Sequence, residues 1–280
     1  MTVLQLVVNG LLLGGVYALI GLGMAMIFGI VGLTNLAHGE FVVLGAYGGT
    51  LLSAALGVDP VPSLLVTVPA MFLLGYLLQA LLLNHAAGKG GESALLVTFG
   101  VSIILKDGML LLFSADARHA PSAWEMQILR LGGLNISVLN LVLFAISLAA
   151  VLALTLFLSF TYPGRAIRAV SDDAETAALA GINVRRVHAL AMGVAMATAA
   201  VAGLCVGMKW TFYPSSGGEY LLIAFIVAVL GGLGNIPATL LAGLGFGLAQ
   251  VIGGANYGLV ISYGAMLLAL VCMPRHTLEQ

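Results

Sequence analysis

The chain has 280 residues, of which only 10 are lysine or arginine and 11 aspartate or glutamate, for a net charge of −1. Charged residues make up 8% and hydrophobic residues 61%, where an ordinary soluble domain is about 25% charged. So apolar a chain cannot cover itself in charge. That excludes a soluble enzyme, a disordered protein and, with no basic footprint, a nucleic-acid binder.

The charges are also unevenly placed. Met1–Gly39, Leu131–Gly164 and Tyr220–Pro274 contain no Asp, Glu, Lys or Arg, and the last of these runs is 55 residues long. A membrane-spanning helix needs about 20, so that run alone holds two or three passes. The short alternating segments of a membrane β-barrel do not occur. The expected fold is therefore all-α: a polytopic transmembrane helical bundle forming a single domain over 1–280. No lysine or arginine precedes Lys89, so the first apolar stretch reads as a retained helix, not a cleaved signal. Cys205 and Cys272 lie inside apolar runs and read as small core residues.

In chain order, apolar stretches predict helices over 3–30, 38–56, 62–83, 93–113, 136–160, 188–210, 219–234, 236–254 and 257–273. Some are half-helices or re-entrant pieces, so eight helices are expected, within a range of seven to ten. The Gly57–Pro62 segment is a short turn, and Gly88–Gly91 a flexible link. Ser114–Asn135, with Trp124 and scattered charges, reads as an interfacial loop. The segment 161–187 is the longest polar stretch. It carries Arg165, Arg168, Arg185 and Arg186, which places it on the cytoplasmic side. Alternation with nine crossings then puts Lys89 and Arg275 on that side, Arg118, Arg130 and Lys209 on the other, and Lys106 within the membrane.

Glycine accounts for 37 residues. Gly10/Gly14, Gly45/Gly49, Gly203/Gly207, Gly243/Gly247 and Gly254/Gly258 have the small-xxx-small spacing that lets membrane helices approach closely. Two apolar runs are interrupted without added charge, at Gly29–Asn35 and at Gly231, Gly232, Leu233, Gly234, Asn235, Ile236, Pro237. Glycine and proline weaken a helix there, and Asn35 and Asn235 can cap the next one. Broken helices with similar punctuation in two halves are a mark of transport pathways.

No catalytic, metal-binding or P-loop signature is present. The 161–187 segment is more informative. Asp172 followed by Glu175 has capping-box spacing, Asp173 adds favourable charge to the first turn, and Gly181 fits a helix stop. A cytoplasmic helix of two or three turns is expected, with an outer surface of Ala177, Ala178 and Leu179. A smooth apolar surface of this kind asks for a protein partner. A lipid-resting helix would instead want basic and bulky aromatic residues on the helix itself.

Here a resemblance becomes specific. Glu175-Thr-Ala-Ala-Leu-Ala-Gly181 resembles the E-A-A-x-x-x-G loop of bacterial ABC importer permeases. Gly164-Arg-Ala-Ile-Arg-Ala-Val and Ala178-Leu-Ala-Gly-Ile-Asn-Val-Arg-Arg-Val are similar to the LivH-type branched-chain amino-acid permease family. So are Asn9-Gly-Leu-Leu-Leu-Gly-Gly-Val-Tyr, Asn35-Leu-Ala-His-Gly-Glu-Phe and Ala224-Phe-Ile-Val-Ala-Val-Leu-Gly-Gly-Leu-Gly-Asn. The resemblance covers nearly the whole chain and is weakest over 57–135. It implies a multi-pass subunit of the bacterial inner membrane, paired with a second permease of LivM type. Two cytoplasmic ATPase subunits would bind ATP and its magnesium ion, and a periplasmic solute-binding protein would deliver substrate. On this implication the 172–181 helix couples the ATPases to the spans.

Candidate pathway or helix-break residues are Asn35, His38, Glu40, Lys106, Asp107, Gly231, Gly232, Gly234 and Asn235. Ionisable groups in or near a membrane are costly and often functional. For His38 and Glu40 the competing reading is a turn at the cytoplasmic interface with Asn35 as its cap. For Lys106, about 12 Å below the helix end at 1.5 Å per residue, it is snorkelling; the charge of Lys106 and Asp107 departs from the usual family pattern, and the resemblance makes it a candidate for tuning the pathway or the interface with the partner permease. Trp210, Tyr213 and Lys209 read as interface anchors. An alternative from another class is a stand-alone ion-coupled secondary transporter or channel, with His38, Glu40, Lys106 and Asp107 serving the ion.

Overall fold

The computed structural model describes residues 3–32, 34–87, 91–131 and 133–272. Lys89, Arg275 and the link 88–90, placed above from sequence, lie outside these residues. Among the described residues, eight helical stretches are long and apolar enough to cross a membrane. The helices are α1 (Val3–Val31), α2 (His38–Leu56), α3 (Leu64–Leu78), α4 (Asn84–Ala87), α5 (Gly91–Phe113), α6 (Val138–Phe160), α7 (Tyr162–Asp172), α8 (Ala174–Leu179), α9 (Val184–Lys209), α10 (Gly217–Gly231) and α11 (Ile236–Cys272). A π-helical turn, Gln79–Leu83, joins α3 to α4. α11 is two expected stretches merged across a kink at Gly254, whose φ is 66° and ψ −170°.

α1 and α9 form the centre. In their most apolar windows 83% and 78% of residues are buried, against 11% in α5. Glycine makes this possible. A Cβ on Gly14 would stand 2.6 Å from Leu244 Cα, and one on Gly247 2.4 Å from Gly14 Cα. A Cβ on Gly203 would stand 2.1 Å from Val42 O, and one on Gly45 2.7 Å from Ala200 Cα. The glycine pairs seen in the sequence therefore meet one another: Gly10/Gly14 lie on Gly243/Gly247, and Gly45/Gly49 lie along the stretch of α9 that holds Gly203. Close backbone contact replaces side-chain interdigitation at both crossings.

The helix ends gather at two opposite faces. At one, Ser171 donates to Gly29 O (2.6 Å), Gly234 N to Ala25 O (3.1 Å) and Asn84 Nδ2 to Arg185 O (3.2 Å). This is the arginine-rich face. At the other, the Gln5 side chain exchanges two hydrogen bonds with the Asn135 backbone (2.6 and 2.9 Å), and Ser122 donates to Asp59 (2.8 Å).

Three local expectations change. The 114–135 stretch is not only loop: β1 (Ile128–Leu131) pairs antiparallel with β2 (Leu134–Ser137), Ile128 opposite Ser137. The segment 161–187 holds two helices, not one. α7 buries Gly164, Ile167 and Val170 on one face, a helical stripe, and Pro163 in its first turn starts that helix. Trp210 is half-buried and stacks on Tyr17 at 5.8 Å, so it packs inward more than it anchors outward.

Candidate functional site

The candidate residues gather in two places. The first is the start of α2. α1 ends at Val31, Gly32 turns with φ 66°, and the chain folds back before α2 begins. Asn35 folds the turn that leads into the new helix, whose N-cap is Ala37: Ala37 N donates to the Asn35 Oδ1 at 3.1 Å, and Leu36 N donates to Thr98 Oγ1 of α5 at 3.3 Å. The His38 Nε2 then lies 3.1 Å from Ile20 O of α1. That is roughly 16 Å from the Val31 end at 1.5 Å per residue. His38 and Glu40 therefore do not sit at the membrane edge, as the interfacial-turn reading expected. Asn35 is not the cap of that reading, since Ala37 stands at the N-cap with no side-chain bond; Asn35 holds the turn before it, and that turn is carried deep into the bundle.

This interior break is polar. Asn35, His38 and Glu40 are buried, and Asn35 Nδ2, His38 Nδ1 and Glu40 Oε2 have no hydrogen-bond partner. Ser102 of α5 hydrogen-bonds the Glu40 carboxylate, and Lys106, one turn further along α5, acts on it electrostatically. The first turn of α10 closes the other side: a Cβ on Gly217 would stand 2.8 Å from the Glu40 carboxylate, and one on Gly39 only 1.8 Å from Gly217 O. Two helix N-termini, of α2 and α10, thus converge on one carboxylate. Helix starts inside a membrane bundle hold positive dipole ends where charged cargo passes. Thr98, Ser102 and Gly217 were missed from sequence because their role comes only from distant contacts. Asp107 stays outside this cluster, on the exposed face of α5.

The second place is the arginine-rich face. Gly231, Gly232 (φ 78°), Gly234 (φ 88°) and Asn235 form the link between α10 and α11. Asn235 caps α11, accepting from Ala238 N at 3.1 Å. With Asp172 and Arg168 of α7, this link lines a cavity of about 830 Å³. The helix break and the 161–187 segment therefore share one space.

α8 stands outside it. Its cap is Asp173, not Asp172. An N-cap needs extended backbone, and Asp173 has it (φ −158°, ψ 104°), while Asp172 still belongs to α7. Asp173 Oδ1 accepts from Glu175 N (3.0 Å) and Thr176 N (3.1 Å), and Oδ2 accepts from the Thr176 hydroxyl (2.5 Å). α8 is also shorter than expected, ending at Leu179, with Gly181 in the left-handed region at φ 86°. Ala177 faces inward and is buried, correcting its place on the outer surface, while Ala178 is exposed and Leu179 is 90% exposed.

The hydrogen bonds from Thr176, and then that from Glu175 N, hold the Asp173 carboxyl below its ordinary value of 3.8. A depressed pKa contributes stability above the unfolded value that is lost as pH falls through the folded one. The cap is therefore intact at neutral pH and is lost only as pH falls below that ordinary value and through the lowered one. Asp173→Ala is expected to speed hydrogen exchange at the Glu175 and Thr176 amides severalfold at pH 7. Asp173→Asn, an equivalent cap, leaves it near the unsubstituted rate. Equal exchange in all three would remove the cap.

Residues 6–272 match the family described as branched-chain amino acid transport system / permease component. The high-affinity branched-chain amino acid transport system permease protein LivH of Salmonella typhimurium is 33% identical across 97% of this chain and 94% of its own. BraD of Pseudomonas aeruginosa, with the same description, is 32% identical across 85% of this chain and 82% of its own. LivM of Escherichia coli is 29% identical across 81% of this chain but only 59% of its own length. PsaBC from Streptococcus pneumoniae, solved in complex with Fab, superposes with a TM-score of 0.51 at 15% identity, over 95% of this chain and 91% of that one, a likeness of fold alone. The chain belongs to the family of branched-chain amino acid transport system permease components.

Proposed function

We propose that this chain is the permease subunit of an ATP-driven importer in the bacterial inner membrane, moving branched-chain amino acids or related small solutes by alternating access. A second, LivM-like permease completes the membrane unit. Two cytoplasmic ATPase subunits bind ATP with magnesium, and a periplasmic solute-binding protein delivers the cargo. This chain supplies no catalytic residue. The relatives' names as transport-system permease components support the reading.

The observation that carries it is α8: a capped, terminated helix presenting a 90% exposed Leu179 at the arginine-rich face. Its neighbour α7 is locked to the bundle by Ile167, Val170 and the Ser171–Gly29 hydrogen bond. A force on α8 therefore passes through α7 to the end of α1 and to the cavity at the α10–α11 link. Coupling requires that such a contact differ between two states of the spans.

The test is reconstitution. Leucine uptake into proteoliposomes is expected to need ATP, the second permease, the ATPases and the binding protein together. Uptake by this chain alone, driven by an ion gradient, would establish the secondary-transporter alternative instead.

A further inference from the structure

Lys209 is the last residue of α9, a helix of 26 residues and so roughly 39 Å long at 1.5 Å per residue. The hydrocarbon of a bilayer is about 30 Å thick, which puts Lys209 at the headgroup layer of the face opposite the arginines. An unoccupied lysine there would reach for water. Lys209 is instead half-buried and turns onto α6, donating to Asn140 Oδ1 at 2.6 Å. Among the described residues no carboxylate stands within 4.0 Å of its ammonium. One neutral acceptor uses one of three N–H groups and leaves the charge uncompensated.

The ammonium lies in the wall of a cavity of about 370 Å³ between α1, α6, α9 and α11, within the range of about 300–1,000 Å³ usual for small-molecule sites. Asn9 and Asn140 share that wall. Their oxygens accept from Gln5 (3.4 Å) and Lys209, so among the described residues both amide N–H groups are left to donate. Leu6 and Leu13 flank Asn9 on one stripe of α1, and Val251 of α11 completes the apolar part of the wall. Toward the bundle the cavity is closed. Gln250 is hydrogen-bonded to Tyr17, whose ring packs on Trp210 (5.8 Å) and Phe246 (4.9 Å). Cargo entering here would have no way on. Toward the periphery it is not closed. α6 and α11 barely touch, only 28% of each one's most apolar window is buried, and Val7, Leu141 and Ile252, next to the lining residues, are exposed. A cation with amide donors, set in an apolar rim at headgroup depth, matches an amphiphile with an anionic head.

We infer that this cavity holds the phosphodiester of a phospholipid from the leaflet at that face. The Lys209 ammonium supplies the countercharge, as lysine does for phosphate elsewhere, and Asn9 and Asn140 donate to the non-bridging oxygens. The glycerol and the chains lie against Leu6, Leu13 and Val251. Basic pockets between membrane spans hold lipid headgroups in this way. The lipid fills the gap between α6 and α11, so it is a structural ligand of the bundle and is needed whatever the cargo.

Retained lipid tests this on the complete transporter. The complex is reconstituted in an equal mixture of phosphatidylglycerol and the phosphate-free monogalactosyl diacylglycerol, extracted in mild detergent and weighed by native mass spectrometry. The unsubstituted complex is expected to keep one phosphatidylglycerol per copy of this chain. It is expected to favour that lipid over the galactolipid by about tenfold or more, the worth of a charge-assisted hydrogen bond. Lys209→Met is expected to lose both the retained lipid and the preference, and Lys209→Arg to keep them. Should the Lys209→Met complex not assemble, Asn9→Ala combined with Asn140→Ala, which spares the ammonium, is expected to lower the retained fraction severalfold. No retained phospholipid, equal retention with Lys209→Met or with the double variant, or equal retention of the galactolipid would each overturn the inference. Displacement of the lipid by added inorganic phosphate would make the cavity a free-anion site. Displacement by leucine or by the solute-binding protein would give it to cargo or to docking, and any of the three would overturn the lipid assignment.

Discussion

Gly39→Val is expected to eliminate folded protein from the membrane, and Gly39→Ala to lower its yield and thermal midpoint sharply. A Cβ at residue 39 would lie 1.8 Å from Gly217 O and 2.7 Å from Gly217 C, so the obstruction is backbone, not a movable side chain. Neither partner can retreat freely. Residue 39 is in the first turn of α2, fixed by the Asn35 turn before it and the His38–Ile20 contact. Gly217 opens α10 beside the Glu40 carboxylate. Overpacking a core with side chains that can shift costs about 1–3 kcal/mol. Here a helix must be displaced, and the cost becomes a large share of the roughly 5–15 kcal/mol that holds a domain together. Gly218→Ala is the control one position along: no heavy atom lies within 4 Å of the Cβ it would add, and alanine is the better helix former by about 1 kcal/mol. Monodispersity after detergent extraction and the unfolding midpoint separate the two. A Gly39→Ala chain as stable as the Gly218→Ala chain would show that the α2–α10 contact is not as close as described.

The spans were legible because a membrane helix is written in composition: a long apolar run has no other way to satisfy its backbone. The Asn235 cap and the Asn35 turn were legible for a local reason, since a side-chain oxygen two or three residues before a free N–H is a short-range geometry. So were the glycine pairs, although only the fold shows that Gly14 meets Gly247. What was hidden is depth. The break at Gly32–Ala37 looks the same in sequence whether it lies on the surface or folds back to Ile20, because the difference lies in what α5, α9 and α10 place around it. For the same reason Glu40 could not be joined to Ser102, or Gly39 to Gly217. Two misses had local signals. Pro163 followed by Ile167 and Val170 marks a helix start with a buried stripe, and Gly133, with φ 86°, stands between the two apolar runs that pair as a hairpin. Both were obscured by reading polar surroundings as loop.

Leu179→Asp is expected to leave the chain in the membrane at normal abundance and to stop ATP-driven uptake. With Leu179 90% exposed in the single chain, its replacement removes no internal contact, and exposed substitutions usually change stability by less than about 0.5 kcal/mol. If α8 seats in an ATPase subunit, the same side chain is buried there. Losing a buried leucine then costs about 1.5–3 kcal/mol, which is roughly 10- to 100-fold in affinity, and a carboxylate placed in that contact adds to the loss. Gly181→Ala acts by a different route. At φ 86° an L residue is disfavoured by about 1–2 kcal/mol, so the helix stop distorts and Leu179 is presented at the wrong angle while its chemistry is unchanged. The two variants therefore part in one measurement. Leu179→Asp is expected to lose the ATPase subunits on co-purification. Gly181→Ala is expected to retain them, with ATP hydrolysis no longer stimulated by the loaded binding protein. Glu175→Gln, at an exposed first-turn position, falls with the second group if its charge meets the ATPase surface. Full uptake with Leu179→Asp in place would mean that the energy enters the bundle somewhere other than α8, and α7 with Arg165 and Arg168 and the start of α9 with Arg185 and Arg186 are the other exposed parts of the same face.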